Sequence, residues 1–180
     1  MGKQILVITG SPRKQGNSDL LADAFIKGAK ESGHEAVKFI SAEHSIKGCL
    51  GCKGCWSKGT PCVQDDDVNS KLFPLLADAD VLVFCTPLYS YTFPTQIKAP
   101  LDRFMPFGTK PLKVKETALI VCGADNEEGA FHAIIESYKH FIGYFGWKSR
   151  GELIVLNVDD KGEVKDTDGL KRAGTMGREI

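Results

Sequence analysis

Ile5-Leu6-Val7-Ile8-Thr9-Gly10-Ser11-Pro12-Arg13-Lys14-Gln15-Gly16-Asn17-Ser18 joins an aliphatic run to a loop of glycines, hydroxyls and cations. Ile5–Ile8 is continuous rather than alternating, as expected of a strand buried on both faces. Leu20, Leu21, Ala24, Phe25 and Ala29 then recur at helical spacing, and Gly33 closes that helix. A buried strand feeding a helix through a short loop is the first half of a βαβ unit.

The same alternation continues along the chain. Val37–Ile40 reads as a second strand. Asp65–Asp67 cap a helix carrying Val68, Leu72, Leu75, Leu76 and Ala79 on one face, and Pro74 kinks or restarts it. Val81–Phe84 is a third strand, followed by the turn-rich segment Thr86–Pro94. A short helix through Ile97, Leu101 and Phe104 is interrupted by Pro100. Ala118–Val121 is a fourth strand, and Phe131, Ile134, Ile135, Tyr138, Phe141, Ile142 and Phe145 mark the clearest helix. Leu153–Leu156 is a fifth strand. Residues 159–180 are a polar, glycine-rich tail with one weak helix near Leu170–Met176. Strand and helix in regular turn specify an α/β fold, a parallel sheet covered on both faces with right-handed crossovers. With 180 residues, 42% of them hydrophobic, one domain over 1–180 is expected.

Lys plus Arg and Asp plus Glu number 23 each, so the formal net charge is zero. A protein that neutralises nucleic-acid phosphates normally carries a basic excess, and no nucleic-acid partner is expected. The longest apolar runs are too short to span a bilayer, and no basic segment followed by a long apolar one opens the chain. A cytoplasmic protein without a membrane partner is the expectation. Four of the six cysteines crowd into residues 49–62, unlike the spread framework of a disulfide-rich secreted domain.

In open α/β sheets ligands bind outside the carboxyl ends of the strands, which directs attention to the loops leaving each strand. The first loop has neither the G-x-G-x-x-G dinucleotide pattern nor the G-K-[ST] ending of a P-loop. It precedes a helix N-terminus, whose free N–H groups and partial positive charge suit a phosphate. Ser11, Asn17 and Ser18 can donate hydrogen bonds to such a group, and Arg13 a charge-assisted one. From these residues alone a phosphate site and an ordinary βα turn capped by Asn17 or Ser18 both stand.

Gly10-Ser-Pro-Arg-Lys-Gln-Gly-Asn-Ser18 resembles the FMN phosphate loop of the NAD(P)H-dependent FMN reductase family. The resemblance continues, in matching order, through Thr86-Pro-Leu-Tyr-Ser-Tyr91, Leu101-Asp-Arg-Phe104 and Cys122-Gly-Ala124. It implies a flavodoxin-like three-layer sandwich with sheet order 2-1-3-4-5. FMN would then be held by Ser11, Arg13, Asn17 and Ser18, with Pro87, Leu88, Tyr89, Ser90 and Tyr91 bordering its ring and Gly123 at the third wall. It also implies NAD(P)H as co-substrate, a small acceptor (a quinone, a nitro or azo compound, or a flavin) and a homodimer or homotetramer. The redox chemistry belongs to FMN, so no protein side chain is expected to act as nucleophile or acid–base catalyst. Phe93, Cys85 and Cys122 read as core residues and Asp125 as a turn residue. Asp102-Arg103 reads as a charge pair within or capping the short helix. The four histidines form no recognisable ligand set.

Cys49-x2-Cys52-x2-Cys55-x6-Cys62 is bounded by the loop 48–63, with Gly48, Gly51 and Gly54 interleaved. Soft thiolates suit iron–sulfur or zinc, and four in one loop can close around a [4Fe–4S] cluster. The spacing, followed by Val63-Gln-Asp-Asp-Asp67, is similar to that of the iron–sulfur flavoproteins of this superfamily, which carry such a cluster beside FMN. A cluster, free thiols and zinc all fit the residues. The rivals to a reductase are an FMN and [4Fe–4S] electron carrier with a ferredoxin-like partner, and a zinc-stapled interaction module.

Overall fold

The structure, a computed structural model, describes residues 2–57, 62–108 and 111–180. Five parallel strands form one sheet: β1 (Gln4–Thr9), β2 (Glu35–Ile40), β3 (Val81–Pro87), β4 (Glu116–Cys122) and β5 (Lys148–Val155), in the order β2-β1-β3-β4-β5. The helices are α1 (Asn17–Glu31), α2 (Gly54–Ser57), α3 (Phe73–Asp78), α4 (Thr95–Leu101), α5 (His132–Phe145) and α6 (Gly169–Arg178). This is the flavodoxin-like arrangement.

Side chains alternate across a strand, so the aliphatic runs supply both faces at once. Leu6, Ile8, Leu82, Phe84, Leu119 and Val121 join Leu72, Ile97, Phe104 and Tyr138 in one core. Ile5, Val7, Val81, Val83, Ala118 and Ile120 point the other way and join Leu21, Phe25 and Ala173. The interruption at Pro74 falls where the π-helical stretch Val68–Leu72 gives way to α3, with the proline in its first turn, where a missing N–H costs no bond.

Two elements differ from the sequence expectation. β5 begins at Lys148, well before Leu153, because its first half is a polar edge that pairs only with β4. That half also carries an irregularity opposite Thr117–Leu119, where Gly151 takes φ 132°, and so shows no apolar pattern. The weak helix of the tail is the ten-residue α6, laid against α1 with Ala173, Gly174 and Gly177 buried. It approaches so closely that a Cβ on Gly28 of α1 would stand 2.0 Å from the carbonyl oxygen of Gly174.

Candidate functional site

The loops leaving β1, β3, β4 and β5 are drawn together by backbone bonds at the carboxyl edge of the sheet. Gly10 N–H donates to Cys85 O (3.1 Å), Leu88 N–H to Cys122 O (2.8 Å), and Gly123 N–H to Val155 O (3.1 Å). Between them lies a cleft of about 170 Å³ that gathers Ser11, Arg13, Asn17 and Ser18 with Pro87, Leu88, Tyr89 and Gly123. Ser90 and Tyr91 do not line it; they form the tip of the turn beside it. A larger groove of about 520 Å³ between β5 and α6 receives none of the loops after β1, β3 or β4. The smaller cleft is the candidate site because it is where the strand ends converge.

Ser18 Oγ is buried without a hydrogen-bond partner among the described residues, in the first turn of α1, whose leading N–H groups have no intrahelical acceptor. A buried unpartnered hydroxyl costs about 1–3 kcal/mol, which a bound anion offsets. The position therefore fits the phosphate of FMN. Ser11 Oγ accepts the Arg13 N–H at 3.1 Å and keeps its own proton free to donate. Arg13 is exposed, and its Nη1 donates to Asp159 O at 2.9 Å.

Asn17 is used differently from its neighbours. Its Nδ2 donates to Asp160 O (2.9 Å), while its Oδ1 accepts from Gly162 N (2.9 Å) and Val164 N (3.2 Å). The amide thus ties the loop after β5 against the start of α1. That loop supplies Val158 and Asp159 to the cleft, two residues the sequence reading missed. Its signal was the strand-end rule itself, applied to three strands and not to the fifth.

The wall after β3 is held in an unusual backbone conformation. Tyr89 and Thr92 exchange both backbone bonds (3.2 and 3.0 Å), and the two residues between them, Ser90 and Tyr91, take φ 46° and 64°. This is the left-handed two-residue turn that glycine and asparagine normally occupy. Holding non-glycine residues there costs on the order of 1 kcal/mol each, a strain found preferentially at ligand sites. It leaves Tyr91 63% exposed beside the cleft. Beneath the cleft, Cys85 and Cys122 are buried core thiols, as expected. Burial pushes Cys122 up to about 12 and Cys85 well above its ordinary value, so both stay protonated at neutral pH. Phe93 is buried, and Asp125 accepts the Glu127 N–H in a turn, again as expected.

The cysteine loop stands beyond the end of β2. Cys49 and Cys52 are exposed, and Cys55 and Cys62 are partly buried. Burial raises the Cys55 thiol above its ordinary value, and the charges of Cys62, Cys49 and Cys52 add to the rise. The four thiols suit a sulfur-ligated metal group in kind, and no three His, Cys, Asp or Glu side chains among the described residues stand in coordinating geometry.

The base of that loop is polar and cross-tied. Arg103 is not the helix-capping charge of the sequence expectation. Asp102 pairs with Lys98, whereas Arg103 is fully buried and pairs with Asp66. The actual partner, Asp66, lies 37 residues away, and no local pattern marks the pair. Burial pushes the Asp66 carboxyl up, but the Arg103 hydrogen bond, the N–H groups of Lys47 and Val68 and the Arg103 charge outweigh it and hold it below its ordinary value. Asp67 is also lowered, chiefly by the Ser45 N–H and by Lys71. A carboxylate depressed in the folded state contributes stability above its unfolded value, and that contribution disappears as pH falls through the folded value. Amide-exchange protection at Ser45, Lys47 and Val68 is therefore expected to drop below about pH 4, ahead of the sheet amides. Equal protection of these three amides and the sheet down to about pH 2 would remove these carboxylates from the account.

A twisted parallel sheet with its ligand cleft at the carboxyl edge and a phosphate-ready helix start define a flavodoxin-like protein. The sequence matches the NADPH-dependent FMN reductase family over residues 4–155, and the chain belongs to that family of oxidoreductases. It is 34% identical over 174 residues to an iron-sulfur flavoprotein of Archaeoglobus fulgidus, an alignment covering 96% of this chain and 76% of that one. An iron-sulfur flavoprotein of Methanosarcina thermophila is 31% identical over 126 residues, 68% of this chain and 65% of the relative. Among solved structures, the NAD(P)H:quinone oxidoreductase from Methanothermobacter marburgensis superposes with a TM-score of 0.81 at 18% identity, over 99% of this chain and 96% of that chain.

Proposed function

We propose that the protein passes electrons from NAD(P)H, through FMN in the strand-end cleft, to a small acceptor such as a quinone, a nitro or azo compound, or a free flavin. The observation that carries this reading is the buried, unpartnered Ser18 hydroxyl at the start of α1, in a cleft where four strand ends meet. When bound, FMN supplies the redox chemistry, taking a hydride from the nicotinamide and releasing electrons to the acceptor.

The residues of the chain bind and orient. Ser11, Ser18 and Arg13 engage the phosphate, and Asn17 holds the loop that closes this end of the cleft. Pro87, Leu88 and Tyr89 offer a stiff, largely apolar edge to the ring, with Ser90 and Tyr91 at its rim. A side chain on Gly123 would press on Leu88 Cβ at 3.2 Å, so glycine keeps the facing wall clear. With one cleft for both substrates, NAD(P)+ leaves before the acceptor enters, and ping-pong kinetics follow.

Cys49, Cys52, Cys55 and Cys62 would hold a [4Fe–4S] group, which would add one-electron capacity to that of the flavin. The second reading is an electron carrier served by a ferredoxin-like protein; the iron-sulfur flavoprotein names of the two relatives support the cluster that it needs. Leu50, Trp56 and Tyr91 are more than half exposed, which supports a homodimer or homotetramer that covers them. All six cysteines are free thiols, in keeping with a cytoplasmic location.

The test is the visible spectrum of anaerobically purified protein, with iron and sulfide analysis and light scattering. Two flavin bands that bleach on adding NAD(P)H are expected, with a broad shoulder and about four irons per chain if the loop is loaded. Cys52→Ala then keeps the flavin bands and loses the shoulder. Slow NAD(P)H oxidation beside fast reduction by ferredoxin would select the carrier. Colourless protein that fails to take up FMN would sink both, and monomer at every concentration would remove the oligomer.

A further inference from the structure

We infer that the buried Arg103–Asp66 pair positions the cysteine loop: it fixes the chain at both ends of the ligand-bearing segment, beside Cys49 and Cys62, before a metal binds. The inference rests on the proposed role of Cys49, Cys52, Cys55 and Cys62 as ligands.

From the turn after α4 the guanidinium reaches to both sides of the loop base. Nη1 donates to Lys47 O (3.4 Å) on the entering side, and Nη2 to Gln64 O (3.2 Å) on the leaving side. Asp66, bonded to Nη1, returns the tie: its Oδ2 accepts Lys47 N–H (3.1 Å) and its Oδ1 accepts Val68 N–H (3.1 Å). A second tier lies above this one. Gln64 Nε2 donates to Gly48 O (2.9 Å), and Asn69 Nδ2 donates to Cys62 O (2.8 Å) and Gln64 O (2.7 Å). The ties reach Gly48 and Cys62, the residues at which the ligand-bearing segment begins and ends.

Stability alone is a weak reason for this arrangement. The two side chains are 0% and 3% exposed, and a buried ion pair often contributes no more than well-packed apolar residues of the same volume. Arg103 Nε and Asn69 Oδ1 are buried without partners as well, an added cost. What the pair supplies is geometry. Only a planar fork can meet a carboxylate and two carbonyls on opposite sides at once. Fixing the ends of a loop before it binds removes part of the ordering entropy from the binding step. Among the described residues Arg103 hydrogen-bonds to Lys47, Asp66 and Gln64 and does not line the cleft, so its part is positioning and not catalysis.

The test uses the full chain, reduced, metal-free and anaerobic, titrated with Co2+ while thiolate-to-cobalt absorption is followed. Melting temperature and FMN affinity are measured on the same samples. The wild type is expected to show the absorption. Arg103→Met should weaken Co2+ by about 10- to 100-fold, the usual effect of removing an outer support from metal ligands. Arg103→Lys, which keeps the charge opposite Asp66 without spanning both carbonyls, should recover part of the loss. FMN affinity should not change. If Arg103→Met does not fold, Asp66→Asn carries the same expectation, since it keeps the shape and removes the charge. A wild type without thiolate–cobalt absorption overturns the ligand reading and this inference with it. Absorption in the wild type with equal Co2+ affinity in the variants overturns the positioning role alone, as does a loss that merely follows melting temperature from variant to variant.

Discussion

Gly28→Ala is expected to destabilise the fold by about 2–3 kcal/mol and to lower the melting temperature by roughly 5–10 °C. The direction is opposite to the ordinary effect of this change in a helix, where alanine gains about 1 kcal/mol over glycine. The reason is the crossing of α1 and α6. The added methyl would stand 2.0 Å from Gly174 O, and a Cβ on Gly177 would stand 2.1 Å from Phe25 O. Both obstacles are backbone atoms, so no side chain can rotate away and the helices must separate. Separation exposes Phe25, Ala29 and Ala173, which are fully buried in the core under this face of the sheet. Gly143, on the exposed side of α5 with open space where its Cβ would be, is the matched control. Gly143→Ala should leave stability unchanged or raise it by up to about 1 kcal/mol. Thermal unfolding of the two variants beside the wild type decides the matter, and equal melting temperatures for both would remove the close crossing from the account of stability.

That crossing shows which parts of the molecule were legible in the sequence. The strands and both cores followed from short aliphatic runs and helical spacing, because those signals are local and each strand carries its own, whereas the sheet order came from the family resemblance. Ser11, Arg13 and Ser18 were legible for the same reason, lying together in one loop at a helix start. The first half of β5 was hidden because an edge strand with one neighbour can be polar throughout. α6 read as a weak helix because glycines that permit close packing look, in sequence, like glycines that break helices. Arg103 and the loop after β5 depend on partners far along the chain, which no window of neighbouring residues contains. Asn17 is the mixed case: its place in the phosphate loop was legible, and its hold on residues 160–164 was not.

Asn17 therefore yields the sharpest functional prediction. Asn17→Ala is expected to cost about 2–4 kcal/mol of stability, since it strands the buried Val164 N–H, the Gly162 N–H and the Asp160 carbonyl together. It should also weaken FMN, because Val158 and Asp159 lose the anchor that holds them against the cleft. Arg13→Ala separates the two effects. Arg13 is exposed and makes one bond to this loop, at Asp159 O. Its removal should change stability by no more than about 0.5 kcal/mol while weakening FMN through the lost charge on the phosphate. Asn17→Asp is the discriminating third variant. A carboxylate still accepts the Gly162 and Val164 N–H groups, so it should retain more stability than alanine. It also sets a negative charge beside the phosphate, so it should bind FMN more weakly than alanine does. Flavin fluorescence titration and thermal unfolding give the two readouts. FMN affinity that is unchanged in both Arg13→Ala and Asn17→Asp would move the phosphate away from the start of α1, and with it the proposed path of electrons through this cleft.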